Sequence, residues 1–122
     1  AEIQRQFAEA EDYPRADRDY FVELLQSVPA RHESLDQDIA VYLDRPMEQV
    51  DPVERAILRI ATYELLYRID VPYRVILNEA ITLTRKFGAE QAHAFVNGVL
   101  DKLAHKHRSD EYSRKPQQVN GL

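Results

Sequence analysis

Six prolines, at positions 14, 29, 46, 52, 72 and 116, divide this chain of 122 residues into segments whose apolar side chains recur at helical spacing. Inside a helix, proline removes a backbone hydrogen bond and clashes with the preceding turn, so it marks ends and first turns. Only three glycines occur, and neither Asn-Gly pair, at Asn97 or at Asn120, is flanked by strand-like alternation. The pattern predicts an all-α fold.

Residues 1–11 carry few apolar side chains and suit only a short helix. From Ala16 to Ser27, Tyr20, Phe21, Leu24 and Leu25 fall at helical spacing, and Pro29 closes the run. Leu35, Ile39, Tyr42 and Leu43 repeat the spacing between Ser34 and Pro46. The clearest start signal is "DPVERAIL". Asp51 is suited to cap a helix, Pro52 to be its first residue, and Glu54 to complete a capping-box-like pair. This helix is expected to reach about Arg68. Its apolar residues Val53, Ile57, Ile60, Ala61, Leu65 and Leu66 cover more than one face, as in a central helix, and Glu64 and Arg68 are spaced as an i,i+4 pair. Pro72 opens another helix with Ile76, Ala80 and Leu83 inward, and Gly88 is expected to be its left-handed C-terminal cap. A last helix is expected from Ala89 to about His107, with residues 108–122 as a polar tail.

The apolar fraction of 44% and charged fraction of 30% suit one globular domain with a real core. With no cysteine, disulfides and thiolate metal sites are excluded. No apolar run approaches the ~18 residues of a membrane span, and "AEIQRQFAEAED" is too polar for a signal peptide. A cytoplasmic protein is expected. The net charge of −5 is unevenly spread. Residues 1–50 carry five arginines, no lysine and twelve acids, whereas residues 51–122 carry eleven basic and nine acidic residues. A surface for nucleic acid therefore belongs mainly in the second half.

The last helix shows where. In steps of 100°, Ala92, Val96, Val99 and Leu103 form an inward stripe, flanked by Leu100 on one side. Phe95 lies about 80° off its centre on the other side, and Gln91, Gly98 and Lys102 lie beyond it. One edge of the helix thus offers an aromatic ring, bare backbone, an amide and a cation. A base could stack on Phe95, a phosphate could meet Lys102, and Gly98 would allow close approach. The alternatives are a core-boundary role for Phe95 and close packing of a neighbouring helix against Gly98.

The stretches "ERAILRIATYEL", "DVPYRVILNEAI" and "KFGAEQAHAFVNGVLDKL", in this order and spacing, resemble the C-terminal half of the NusB transcription antitermination family. The resemblance is specific over residues 51–104 and looser over residues 17–50. It implies an all-α fold of two small helical sub-bundles, with residues 1–50 in the first and 51–107 in the second. It implies binding of boxA RNA together with NusE, a ribosomal protein of the small subunit, within an RNA polymerase antitermination complex acting notably on ribosomal RNA operons. It implies no catalysis, no cofactor and no metal. Residue by residue, Phe95 matches an aromatic at the family's RNA-facing surface. Gln91 matches a nearby position that is often acidic, and Tyr42 matches an aromatic near the same surface. Lys102 joins them from the helix geometry. Glu48 and Glu54, in "MEQVDPVER", match acids on the NusE-facing side, where an acidic surface would select a basic ribosomal protein.

The chain departs from the family in one respect. NusB proteins begin with an arginine-rich helix followed by an "ALQxLY"-like stretch, and nothing in these 122 residues matches it. "AEIQRQFAEAEDYP" resembles the linker and second helix instead. The first helix is expected to be missing, which would account for the negative charge and weaken RNA binding by this chain alone.

Three other readings remain. An enzyme would need a nucleophile–base pair, a glycine-rich phosphate loop or an HExxH motif, and none is recognisable. Asp101 and His105 stand at i,i+4, with His107 nearby, and could in principle share a metal, though such pairs on exposed helix ends are usually solvated or weakly ion-paired. NusB-like modules also precede a ribosomal-RNA methyltransferase domain, for which this chain has no room. Finally, the face used for RNA and NusE could instead make a homodimer.

Overall fold

The computed structural model describes residues 15–113, and these form six α-helices and one 3-10 turn with no strand among them. The helices are α1 (Arg15–Ala30), α2 (His32–Ala40), α3 (Pro52–Tyr67), α4 (Tyr73–Phe87), α5 (Ala92–His107) and α6 (Ser109–Ser113), and the 3-10 turn is Met47–Gln49. The short helix expected in residues 1–11 and the side chain of Phe21 lie outside what is described. The chain divides into two compact units after His32. This boundary differs from the division near residue 50 that the family resemblance implies. Ile39 and Val50, with Tyr42, Leu43 and Met47 packed alongside, belong to the hydrophobic core built by α3, α4 and α5.

Within the first unit, α1 buries Leu24 and Val28, one turn apart, and leaves Val22 and Leu25 exposed. Leu25 is thus not the inward residue that its spacing suggested. Pro29 sits inside the last turn of α1 rather than beyond it. The turn closes behind it through the Arg31 amide donating to the Val28 carbonyl at 3.1 Å.

In the second unit Asp51 and Pro52 start α3 as expected, whereas the capping-box bond expected of Glu54 is not among the hydrogen bonds of the described residues. Asp51 caps the helix by accepting from the Val53 amide at 2.9 Å, and Pro52 occupies the first turn, where its missing N–H is harmless. The central position of α3 is visible in its burial, since Ile57, Leu58, Ala61, Thr62, Tyr63, Glu64 and Leu65 are all buried. Arg59 ties α3 to α2 through a two-bond fork on Asp36, both bonds 2.7 Å. From α4, Tyr73, Ile76, Leu77 and Ala80 enter the core, and from α5, Val96, Val99, Leu100, Leu103 and Ala104. At ~25 cal/mol per Å2 of apolar surface, such a cluster is the main driving force for this unit.

Two expected helix ends are corrected. Gly88 is not left-handed: its backbone is extended, with φ −90° and ψ −179°. Glycine is needed there for space, because a β-carbon would lie 2.8 Å from the Thr84 carbonyl oxygen, which already accepts from the Gly88 amide. The left-handed residue is Gln91, at φ 71°, and α5 begins after it at Ala92 rather than at Ala89.

The polar tail expected from residue 108 is also corrected, as far as Ser113. Arg108 is 5% exposed. Its guanidinium donates to the carbonyls of Glu64, Leu65, Arg68 and Val71 at 2.8 to 3.2 Å. Those carbonyls lie at the end of α3 and in the turn that follows, where helical partners run out; the Glu64 and Arg68 carbonyls also accept from the Arg68 and Val71 amides, both at 3.0 Å. Glu111 pairs with Arg108 at 2.7 Å and accepts from the Tyr73 amide at 2.9 Å, capping α4. Tyr112 stacks on Tyr73, with ring centroids 5.4 Å apart. The helix α6 is therefore a clasp across the α3–α4 turn.

Candidate nucleic-acid interface

The edge of α5 singled out above faces outward as the helix geometry requires. Gln91, Gly98 and Lys102 are exposed, and Phe95 is half-buried against the core. Nothing comes within 4 Å of a β-carbon placed on Gly98. Among the described residues, the close packing of another helix, one explanation for this glycine, is absent. Seven residues separate Phe95 from Lys102, about 10 Å along one stripe of the helix. Lys106 continues the stripe one turn further and is exposed.

Lys102 and Lys106 form part of an open groove with Tyr42, Asp101, His105 and Tyr112. The structure thus brings Tyr42 and Lys102 together. Asp101 is occupied, accepting from the Tyr112 hydroxyl at 3.1 and 3.2 Å, and this bond is the main cause raising the Tyr112 pKa. His105 meets the Tyr112 ring edge-on at 4.8 Å. Both members of the metal-like pair therefore turn to Tyr112. His107 faces Asp38 at 4.0 Å, and burial pushes its pKa down, which favours the neutral ring. Two ammonium groups and an engaged carboxylate leave the groove net positive.

The two acids expected on the NusE-facing side part company. Glu48 is exposed on the 3-10 turn. Glu54 is 6% exposed, in the first turn of α3, so it does not offer an open carboxylate to a partner. A carboxylate there also interacts favourably with the helix N-terminus.

Two contributors escaped the sequence. Lys106 follows from helical spacing once the stripe is drawn. Arg45 could not be found that way. Its guanidinium carbon lies 4.4 Å from the Phe95 ring centroid, a contact between residues fifty positions apart. The guanidinium is held by the neighbouring Asp44, with Nε donating to Oδ1 at 2.7 Å and Nη2 to Oδ2 at 3.3 Å. That fork is the main cause holding the Arg45 pKa above its ordinary value, and the charge of Glu54 adds to it.

Comparison with known proteins gives the family. The NusB family model matches residues 1–105. The chain is 54% identical over 102 residues to the transcription antitermination protein NusB of Nitrosococcus oceani, covering 84% of this chain and 69% of that one. It is 51% identical over 108 residues to the protein of the same name from Shewanella halifaxensis, covering 88% and 80%. The solved structure of T. maritima NusB superposes with a TM-score of 0.75 at 29% identity, covering 90% of this chain and 80% of that one. With the family model spanning most of its length and the fold all-α, this chain belongs to the NusB family.

Proposed function

We propose that this chain is a transcription antitermination factor that binds boxA RNA together with NusE and helps RNA polymerase transcribe through terminators, notably in ribosomal RNA operons. The observation that carries the reading is the outward stripe of α5. An aromatic ring, a glycine with open space above it and two lysines lie on one edge of a helix whose opposite side is core. Single-stranded RNA is bound through stacking of its bases and neutralisation of its phosphates, and this edge offers both. Relatives at about half identity carry the name of antitermination proteins. Gln91 and Tyr42 belong to the same surface at either end of the stripe. Glu48 is the acid open to NusE, and Glu54 supports that side from within. No catalytic step enters this function.

Titrating a labelled boxA RNA oligonucleotide with the chain and NusE tests it. Phe95→Ala should cost about 1–3 kcal/mol of binding while leaving helicity intact. Equal affinity for RNA in a folded Phe95→Ala variant would overturn the assignment of this edge to RNA.

A further inference from the structure

The ring that the sequence offers to RNA is not bare. Phe95 packs against the core and carries the Arg45 guanidinium 4.4 Å from its centroid. The guanidinium is fixed in turn by the two-bond fork from Asp44. Asp44 thus takes one edge of the guanidinium plane, and Phe95 takes one face. Arg45 remains 39% exposed and Asp44 72% exposed. We propose that Arg45, seated on Phe95, is the surface on which an unpaired RNA base stacks, with the ring as its platform. This rests on the RNA-binding reading above and assigns its stacking contact to a different side chain.

Two properties favour an arginine in that position. A guanidinium plane is weakly hydrated and stacks on aromatic faces, so it can lie between a ring and a base. A plane already held by a carboxylate and a ring loses little conformational freedom when the base arrives. The same fork sets its electrostatic contribution. With Asp44 compensating its charge, Arg45 neutralises no further phosphate, and the salt dependence of RNA binding counts phosphates neutralised. Stacking and charge are therefore separable at this residue. Lysine would retain the charge and lose the plane.

The experiment is the same boxA titration with NusE, repeated over a series of salt concentrations for Arg45→Lys and Arg45→Ala. Both variants should bind about 5- to 10-fold more weakly, and Arg45→Lys, which keeps the charge beside Asp44, should leave the slope of log affinity against log salt unchanged. Combining Arg45→Ala with Phe95→Ala should cost less than the two changes separately, because the ring and the guanidinium act as one unit. Full affinity in Arg45→Lys would show a point charge rather than a plate and overturn the inference. Tighter binding by Arg45→Ala would show that the guanidinium only covers the ring, and would overturn it equally. A wild-type complex that binds no boxA RNA overturns the RNA-binding reading and this inference with it. Wild-type binding with an unaltered Arg45→Lys overturns this inference alone.

Discussion

A β-carbon added at Gly88 would meet the Thr84 carbonyl oxygen at 2.8 Å, whereas one added at Gly98 would meet nothing within 4 Å. The two glycines therefore respond oppositely to the same substitution. At Gly98 an alanine removes the entropic penalty of glycine in a helix interior and should stabilise the fold by about 0.5–1 kcal/mol. At Gly88 it must displace the end of α4 and should destabilise. Urea unfolding of the two variants would show the difference in sign. If bare backbone at position 98 admits RNA, the more stable Gly98→Ala protein should also bind boxA RNA more weakly. A variant that is more stable and binds equally well would leave Gly98 outside the interface. The position of Gly98 in the helix was legible because it depends only on local periodicity. The left-handed residue was not. Gly88 has the composition of such a cap, yet the chain reverses at Gln91, whose φ of 71° is rare for a residue with a side chain. Propensity favours Gly88 over Gln91 for that role, and the path into α5 overrides it.

Among the elements, α6 has the least sequence signal and one of the clearest structural roles. Five residues, SDEYS, carry no apolar periodicity. The clasp depends on single polar side chains reaching residues some forty positions away, and helical spacing cannot report that. Arg108 satisfies four carbonyls at the α3–α4 turn while Glu111 caps α4. Replacing Arg108 by methionine leaves the Leu65 and Val71 carbonyls without this donor, removes the second bonds to the Glu64 and Arg68 carbonyls, and leaves the half-buried Glu111 carboxylate without its cation. The loss should be about 3–5 kcal/mol, read as a lower midpoint in chemical denaturation. Ending the chain at His107 should have a similar effect. Unchanged stability in both would mean that the segment after His107 is the dispensable tail its composition suggested. By contrast, the beginnings of α3 and α4 were legible, since Asp51, Pro52 and Pro72 act on backbone groups within a few residues of themselves.

For the whole molecule, the uneven charge seen in the sequence places basic and acidic side chains on different elements. The basic residues Lys102 and Lys106 lie on the α5 stripe, whereas Glu48 lies on the 3-10 turn. The two acids proposed for the partner-facing side came from the family resemblance, and their burial was not legible. Glu54 stands in the core-facing first turn of α3, and only packing reveals this. That burial decides which substitution is informative. Glu54→Lys would place an ammonium at a helix N-terminus in a site with 6% exposure, and any loss of partner binding would be mixed with unfolding. Glu48 is exposed, so Glu48→Lys should leave the unfolding midpoint within about 0.5 kcal/mol of the parent. It should weaken NusE binding by about 5-fold at low salt, chiefly through slower association, with the difference shrinking as salt screens the charge. Association rates measured with NusE at two ionic strengths check this directly. A rate that is unchanged at low salt would remove Glu48 from the partner-facing side and leave that role to a surface that the acidic motif does not mark.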